Sequence, residues 1–464
     1  MARRISACVR ITLVHVTFAL GAAIPVCAAG QVAADPRPRK SYVIPALEIV
    51  GFDVLLNVFD RLVIGAEFKS DLSSIRRNLR RSWVVENDPY AINQFGHPYQ
   101  GSVYHGFARS AGLSYWAALG YTFTGSALWE IAGETTAPSR NDQIASGIAG
   151  TFLGESLFRI ANLILENADG PPGPRRRTSA AVVAPWMWFN RRAFGHRFDT
   201  IYPSRAAAYF RRLQIGAAGT TQRVQGAATE LRPNEALLDV SMEYGLPGPA
   251  QYDYGRPFDY FALQATVSSA NGFENVLSRG LLVGDRHDIG ANYRGVWGLF
   301  GSYDYIAPQI FRVSSTALSL GTTGQWWLSD DMAFQGSALA GFGYAAVGTI
   351  HGAREDDYHY GLAPQALLGA RLILGDRASL DLTGREFFVA DVPPVETAGH
   401  DNIARVDASF SLRFHRQQAI SLKYVWSRRD ALYPDLGRRT QVRGTLGVFL
   451  TFLGNDRFGA VDWR

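Results

Sequence analysis

From about residue 235 to the end of the chain, apolar and polar residues alternate. In "ARVDASFSLRF", Val406, Ala408, Phe410, Leu412 and Phe414 alternate with Arg405, Asp407, Ser409, Ser411 and Arg413. An alternation of two residues is the period of a β-strand with one apolar and one polar face. Similar segments recur from about residue 206 onward and are separated by turn signals such as "GLPGP", "GDRHD" and "LGDRA". The pattern predicts about twelve strands.

These segments are longer than ordinary strands of water-soluble proteins, and Tyr and Trp lie near many of their ends. Long strands with one apolar face are typical of a transmembrane β-barrel, in which closure leaves no unpaired sheet edge in lipid. The polar face must then line the lumen; it carries Asp239, Glu243, Asp381, Arg385, Arg405, Asp407, Arg413, Lys423 and Arg443. The alternative is a soluble sandwich or lipocalin-like barrel. The ending "GAVDWR" departs from the terminal aromatic residue that is usual in outer-membrane barrels.

Residues 40–170 follow a helical period and are rich in small and aromatic residues. Asp53, Asn57 and Asp60 share one face of the first predicted helix, where we expect them to face water. Ser139 precedes Asp142 by three residues and is predicted to cap a helix. The spacing of Ser146, Gly150 and Gly154 predicts a groove for close packing of another helix.

The predicted fold class is therefore α+β, with an N-terminal helical domain followed by an antiparallel transmembrane β-barrel of about twelve strands. We expect a signal peptide at residues 1–29, the helical domain at 40–170, a Pro- and Arg-rich linker at 171–200 and the barrel at 201–464.

The N-terminus has the basic, apolar and small-residue regions of a secretory signal peptide, which predicts export to the bacterial outer membrane. Cleavage would remove both cysteines, Cys8 and Cys27, and with them any thiolate chemistry. The net charge of +5 includes three arginines of this segment, so the mature chain is near +2 (5 − 3). That charge gives no basis for a nucleic-acid partner.

The series "NQFGHPYQG", "ARSAG", "GSALWEIAGE", "PSRNDQ" and "GTFLGESLFR" resembles the core of a family of bacterial envelope proteins known as domain of unknown function 3943. The resemblance covers about residues 85–165. It implies an envelope protein, often with a strand-rich C-terminal half. It implies no activity and no cofactor, and it supplies no catalytic residues.

The helical region contains a set of polar candidates for a site: His97, Arg109, Glu130, Glu134, Asn141, Asp142, Glu155 and Arg159. In a functional interpretation, His97, Glu130, Glu134 and Asp142 converge as acid/base or metal-binding groups. In a structural interpretation, His97 begins a helix, and the remaining charged residues pair across a helix bundle. The chain lacks HExxH, GxSxG and Walker-type spacings, which favours the structural interpretation, with no metal and no cofactor. His351 and His359 are expected in a loop at the barrel rim.

The sequence thus predicts a non-enzymatic outer-membrane protein that passes a solute or lipid or organises the envelope. Its helical domain would lie in the periplasm or plug the lumen. The expected partners are outer-membrane lipid and a periplasmic protein. The alternative is a membrane-embedded lipid hydrolase that uses the region of His97, Glu130 and Asp142.

Overall fold

The structure is a computed structural model, and it describes residues 39–464 except 87, 167–169, 349–357, 392–398 and 435–436. The chain divides into two compact units, one up to Ser204 and one from Arg205 to Arg464. The predicted signal peptide, His351 and the acidic residues that follow it lie outside the described residues, whereas His359, which was expected in a loop, lies at the start of a strand. The predicted α+β fold class is confirmed, because helices precede a closed antiparallel barrel of twelve strands.

Each strand of the barrel pairs with its neighbours in the chain, and the first strand pairs with the last. The strands are β1 Tyr209–Val224, β2 Glu230–Tyr244, β3 Phe261–Ser268, β4 Gly272–Ile289, β5 Tyr293–Ile306, β6 Val313–Trp327, β7 Met332–Gly348, β8 Tyr358–Leu374, β9 Ala378–Asp391, β10 His400–His415, β11 Gln418–Tyr433 and β12 Gly437–Leu453. The sheet closes through antiparallel pairs such as Ile215 with Leu450. Closure removes the free edges that a sheet cannot keep in hydrocarbon.

The two faces of the strands are oriented as the alternation predicts. In β12, Leu446 and Val448 point outward with 52% and 57% of their surface exposed, whereas Arg443 and Thr445 point inward and are buried. The same holds in β10, where Phe410 and Leu412 are exposed. The outside of the barrel is therefore apolar, and the polar face lines the interior.

Ion pairs cross this interior between strands that are far apart around the barrel. Arg371 of β8 binds Glu243 of β2 with an N–O distance of 3.0 Å, and these two strands are opposite each other in the strand order. Arg385 of β9 binds Asp304 of β5 at 2.9 Å. The guanidinium of Arg443 lies 2.9 Å from Glu235 and 3.1 Å from Glu274. These side chains bridge the lumen.

An apolar cluster closes each end of this charged layer. At the end where β12 finishes, the chain after Leu453 folds back so that Phe458 is buried with Phe210, Trp327 and Ile373. The backbone carbonyl of Val461 accepts hydrogen bonds from Gln325 at 2.7 Å and Trp327 at 3.2 Å. At the other end a cluster forms from Ile306, Phe311, Val313, Ala345, Val347, Ala363, Phe387, Val389 and Ile403. The ending "GAVDWR" thus belongs to a segment that caps the barrel, and the last strand ends before it.

The N-terminal unit is a bundle of helices that surrounds one buried helix. Its α-helices are α1 Val43–Val63, α2 Leu72–Asn78, α3 His97–Ser110, α4 Tyr115–Leu128, α5 Arg140–Ile144, α6 Gly150–Leu165, α7 Pro174–Val183 and α8 Pro185–Phe194. Short π-helical segments at Ile92–Gly96, Trp129–Gly133 and Ala145–Ala149 precede α3, follow α4 and join α5 to α6. Among the described helices, the stretch Arg140–Leu165 has the length and composition to cross a membrane, but it is almost wholly buried inside this unit.

The expectation that the polar stripe of α1 faces water is wrong. Asp53, Asn57 and Asp60 are buried, and the Asn57 amide donates to the carbonyls of Phe68 at 2.9 Å and Gly133 at 2.6 Å. The opposite face is apolar and exposed; it includes Leu47, Val50, Val54, Leu55, Val58 and Leu62. The periodicity identified the stripe, but internal hydrogen-bond partners turn it toward the bundle.

The expected linker at residues 171–200 is folded over much of its length. Pro174 and Pro185 lie in the first turns of α7 and α8, where a missing backbone N–H costs nothing. Val183, Trp186 and Met187 are buried, and α7 packs on α6. The prolines therefore mark helix starts.

The charged layer of the barrel predicts a specific stability effect. We expect Arg443→Met to lower the free energy of unfolding by about 3–5 kcal/mol, because it leaves Glu235 and Glu274 buried without their cation. Urea unfolding in detergent micelles measures the effect. The triple variant Arg443→Met/Glu235→Gln/Glu274→Gln should recover part of the loss. A single variant as stable as the wild type would show that the network does not stabilise the barrel.

Candidate functional site

Helices α3 and α6 pack through glycines, which brings their polar side chains together. A Cβ built on Gly101 would lie 1.9 Å from the carbonyl oxygen of Ser146, and one built on Gly150 would lie 2.6 Å from the Cα of Gly101. A Cβ on Gly154 would lie 3.0 Å from Ser102 and His105. The groove predicted from Ser146, Gly150 and Gly154 is thus where α3 packs.

Seven of the eight candidate residues separate into two clusters, and the eighth, Asn141, donates a hydrogen bond to the second cluster. The first, here the ion-pair cluster, consists of Glu155, Arg109, Arg159 and His105. The Glu155 carboxylate accepts from Arg109 Nε at 2.7 Å, from Arg159 Nε at 2.8 Å, and contacts His105 Nε2 at 3.0 Å. Glu155 and His105 are completely buried. The expected pair of Glu155 and Arg159 is present, and Arg109 joins it from α3.

The charges around Glu155 outweigh the effect of its burial. Burial alone would raise its pKa, but the Arg109 guanidinium, the His105 hydrogen bond and the Arg159 charge hold the pKa well below the usual range. Glu155 is therefore ionised and paired at neutral pH. Its contribution to stability is present above the unfolded-state pKa of about 4.3 and is lost as the pH falls through the lower folded value.

The second, here the acidic cluster, consists of His97, Glu86, Glu130, Glu134 and Asp142. His97, Glu130 and Asp142 each have one nitrogen or carboxylate oxygen atom that lies within 4.8 Å of the corresponding atoms of the other two. Glu86, Glu130 and Glu134 form a second such group. His97 Nε2 lies 3.7 Å from Asp142 Oδ2. The structural interpretation expected Glu130 and Glu134 to pair with arginines, but within the described part of the chain Arg109 and Arg159 pair with Glu155 instead.

Hydrogen bonds fix three of these carboxylates. The backbone N–H of Ser139 donates to Glu130 Oε2 at 2.8 Å, and the indole of Trp129 donates to Glu134 Oε1 at 2.8 Å. The amide of Asn141 donates to Asp142 Oδ1 at 2.9 Å. Ser139 also caps α5 by accepting from the N–H of Asp142, as predicted. Glu130 and Asp142 therefore each have one held oxygen, whereas both oxygens of Glu134 are held, the second by the Thr136 hydroxyl at 3.0 Å.

Cations do not balance the acidic cluster. Among the residues that the structure describes, no lysine or arginine pairs with Glu86, Glu130, Glu134 or Asp142. Glu130 Oε1 and Asp142 Oδ2 are buried and accept no hydrogen bond. A buried charge without a partner is costly.

The pKa values of the acidic cluster follow from that imbalance. Burial, together with the neighbouring carboxyls, raises the pKa of Glu86 to about 9, that of Glu134 to about 8, and that of Glu130 well above its usual range. Burial also raises the pKa of Asp142 to about 7. Burial lowers the pKa of His97 to about 4, so its imidazole is neutral.

All three π-helical segments adjoin this cluster. His97 follows the first, Glu130 lies within the second, and the third begins shortly after Asp142. A π-turn inserts an extra residue into a helix, changes the direction of the side chains and is frequent at functional sites. Local backbone geometry thus contributes to the convergence.

Ser146 completes a serine, histidine and carboxylate arrangement. Its hydroxyl lies 3.3 Å from His97 Nδ1, while His97 Nε2 faces Asp142. All three side chains are buried, and the backbone of Ser146 packs against Gly101. The arrangement orients the imidazole, but the serine is not exposed to a substrate.

Sequence reasoning missed Glu86 and His105 as members of these clusters and Ser146 as the hydrogen-bond partner of His97. Glu86 precedes α3 in "ENDPY", where it reads as a solvated charge, and Ser146 was recognised only as a small residue. His105 lies one turn from Arg109, which is a signal that could have found it.

The structure thus defines a closed twelve-stranded antiparallel barrel preceded by a helical unit with two buried polar clusters. Residues 82–186 match the model of a family described as a domain of unknown function, DUF3943. The match confirms the resemblance and covers every residue of both clusters. No curated protein matches the chain.

Solved structures similar to the chain include outer-membrane channels. The toluene transporter TodX of Pseudomonas putida has 8% identity and a TM-score of 0.23, with 54% of this chain and 90% of TodX covered. The outer membrane channel DcaP of Acinetobacter baumannii has 8% identity and a TM-score of 0.23, with 53% of this chain and 98% of DcaP covered. The NanC porin has 6% identity and a TM-score of 0.24, with 50% of this chain and 98% of NanC covered. The barrel is established by the strand pairing within this chain.

The two clusters predict opposite effects of the same substitution. At about pH 8 in the presence of a chelator, Glu155→Gln should lower the stability of the helical unit by about 3–5 kcal/mol, because Arg109 and Arg159 lose their anion. Glu130→Gln should raise its melting temperature, because a raised folded-state pKa means that ionisation destabilises the fold as the pH rises above about 4.3.

Thermal unfolding followed by the circular dichroism of the helices measures both effects. The gain from Glu130→Gln should disappear near pH 4, where the carboxyl is protonated in both states. A loss of stability in Glu130→Gln comparable to that in Glu155→Gln would show that Glu130 is a paired structural charge.

Proposed function

We propose that the protein is an outer-membrane protein in which a sealed β-barrel anchors the helical unit, and that it organises the envelope instead of passing a solute. The observation that carries the proposal is the combination of an apolar barrel exterior with an interior bridged by ion pairs. Each half of that combination supports a different part of the proposal.

The exterior supports a position in lipid. Large apolar side chains are exposed on ten of the twelve strands, all except β2 and β3 in this set: Ile215, Val283, Trp297, Leu320, Phe342, Leu368, Leu382, Phe410, Ile420 and Leu446. Water-soluble proteins rarely expose continuous apolar surfaces of this size. On β11 the outward residues Ile420, Leu422 and Tyr424 give way to Arg428 and Asp430, as expected where an apolar band ends at the membrane surface.

The interior supports a sealed barrel. Cross-lumen pairs such as Arg371 with Glu243 fill the middle, and three cavities among the lumen-facing residues measure only about 30, 90 and 20 Å³. An α-helix with its side chains is about 10 Å across, so these spaces do not accommodate one. We therefore favour a helical unit in the periplasm over one that plugs the lumen, and an anchor over a channel.

The exposed apolar face of α1 gives the helical unit its own contact with lipid in this proposal. A helix that buries Asp53 and Asn57 and exposes Leu47, Val54 and Leu62 has the reverse of the orientation expected in water. In the chain, residues 205–208 alone separate the helical unit from β1. A periplasmic protein partner would bind elsewhere on the helical unit.

A lipid hydrolase is the second candidate, favoured by the contact of Ser146 with His97 and by the approach of His97 to Asp142. The burial of all three side chains argues against it, since an acyl substrate must reach the serine. If the wild-type protein hydrolyses phospholipid and Ser146→Ala abolishes that hydrolysis, the protein is a lipid hydrolase and the envelope role is replaced.

Arginine substitutions on the outer face test the position in lipid. We expect Leu446→Arg, in the middle of β12, to cost about 2–4 kcal/mol in a bilayer, because the charge lies near mid-membrane. Leu432→Arg, near the end of β11 beyond Arg428 and Asp430, is the matched control and should cost about 0–1 kcal/mol. Urea unfolding in phospholipid vesicles measures both. Equal losses of stability in Leu446→Arg and Leu432→Arg would show that the middle of β12 does not lie in lipid.

Solute passage tests the seal. Vesicles that contain the purified protein should not swell in solutions of small sugars, because the lumen is bridged by charged side chains. The control variant Arg371→Gly/Glu243→Gly/Asp381→Gly removes a central part of the bridge and should increase the swelling rate. Rapid swelling with the wild type would identify a channel.

A further inference from the structure

The acidic cluster has the composition and spacing of a metal site. His97, Glu130 and Asp142 come from the start of α3, the π-segment after α4, and α5, and their ligand-type atoms lie within 4.8 Å of one another. For metal–ligand distances of about 2.0–2.2 Å, two ligand atoms of a tetrahedral ion lie about 3.4 Å apart. His97 Nε2 and Asp142 Oδ2 are 3.7 Å apart, too long for a hydrogen bond and close to that spacing.

Unused lone pairs are a second and independent sign of a ligand. Glu130 Oε1 and Asp142 Oδ2 accept no hydrogen bond, although Glu130 is 1% exposed and Asp142 is fully buried. The other oxygen of each is held by Ser139 or Asn141, which fixes the direction of the carboxylate. Glu130 Oε1 is therefore a fixed acceptor without a donor in a buried site, as a cation requires, and the Asp142 carboxylate also contacts the carboxyl of Glu86.

Ser146 orients the histidine as an outer-shell residue orients a metal ligand. With the Nδ1 proton donated to the Ser146 hydroxyl at 3.3 Å, Nε2 carries the lone pair and faces Asp142. Metal-binding histidines usually donate their second ring N–H in this way. The half-buried Glu86 and the buried Glu134 place further carboxyl oxygens within 4.8 Å of an oxygen of Glu130.

We propose that His97, Glu130 and Asp142 bind a divalent transition-metal ion such as Zn²⁺ or Mn²⁺. One imidazole and two carboxylates form a mixed nitrogen and oxygen donor set, which suits these ions better than Ca²⁺ or Mg²⁺, whose ligands are oxygen atoms. The ion supplies the positive charge that the surrounding side chains lack. The inference goes beyond the membrane role and does not depend on it.

The test uses the full chain in detergent micelles after removal of metal with a chelator. Zn²⁺ and Mn²⁺ are the probes, with Mg²⁺ and Ca²⁺ for comparison, and affinity is measured by competition with a coloured chelator. We expect one equivalent of Zn²⁺ to bind and to raise the melting temperature. Ser146→Ala removes only the residue that orients His97 and should weaken Zn²⁺ binding by about 10–100-fold. His97→Ala and Glu130→Gln each remove a ligand and should weaken Zn²⁺ binding more than Ser146→Ala does.

His105→Ala is the matched control, since it removes the other buried histidine of α3, which contacts Glu155 in the ion-pair cluster. We expect this variant to lose stability and keep the Zn²⁺ affinity of the wild type. Glu130→Gln is expected to be stable without metal, so its loss of binding cannot be attributed to unfolding.

Three results would overturn the proposal. They are no binding of Zn²⁺ or Mn²⁺ by the wild type, unchanged affinity in both His97→Ala and Glu130→Gln, and an equal loss of affinity in His105→Ala. Tighter binding of Ca²⁺ than of Zn²⁺ would overturn the assignment to a transition metal.

Discussion

The need to neutralise charge in places without water governs both units of this protein. An ionised side chain that leaves water must meet an opposite charge or bind or lose a proton. The barrel meets this need with its own side chains, since Arg371, Arg385 and Arg443 each reach carboxylates on other strands. The ion-pair cluster of the helical unit meets it with two arginines around Glu155. The acidic cluster has carboxylates but no paired cation among the described residues, and this difference makes it the candidate site.

Closure of the sheet makes the charged interior of the barrel possible. A sheet whose first and last strands pair has a continuous lipid face and a continuous inner face, so the strict alternation of side chains separates apolar from charged residues. The inner layer is then enclosed by apolar clusters at both ends, one of which includes Phe458 from the chain after β12. Pairing across the lumen, in addition to pairs between adjacent strands such as Arg371 with Asp381, fills the barrel and supports the proposed role as an anchor.

Much of the barrel could be predicted from the sequence because each strand carries its own signal. The two-residue period of residues such as Val406, Phe410 and Leu412 gave the strand, the face and the strand number. The direction of the polar stripe on α1 could not be predicted, because Asp53 and Asn57 show the same spacing whether they face water or buried partners. Only the contacts of Asn57 with Phe68 and Gly133 decide between the two.

The candidate site was predictable as a set of residues but not as two clusters. Helical spacing identified the pair of Glu155 and Arg159, which lie on one helix. It could not show that Arg109 joins them across a glycine contact, or that Glu130 meets His97 and Asp142. Those encounters depend on the close approach at Gly101 and Gly150 and on π-turns, neither of which leaves a periodic signal.

Among the described residues, the helical unit buries more carboxylates than it pairs with cations, whereas the barrel does not. The most direct measurement is the melting temperature of the helices in the wild-type protein, in chelator, as the pH rises from about 6.5 to about 8.5. Folding raises the pKa of Asp142, Asp53 and Asp60 to about 7 and that of Glu134 to about 8. These carboxyls therefore ionise more readily in the unfolded chain, and we expect the melting temperature to fall steadily over this range. A melting temperature that is constant or rises over this range would contradict it.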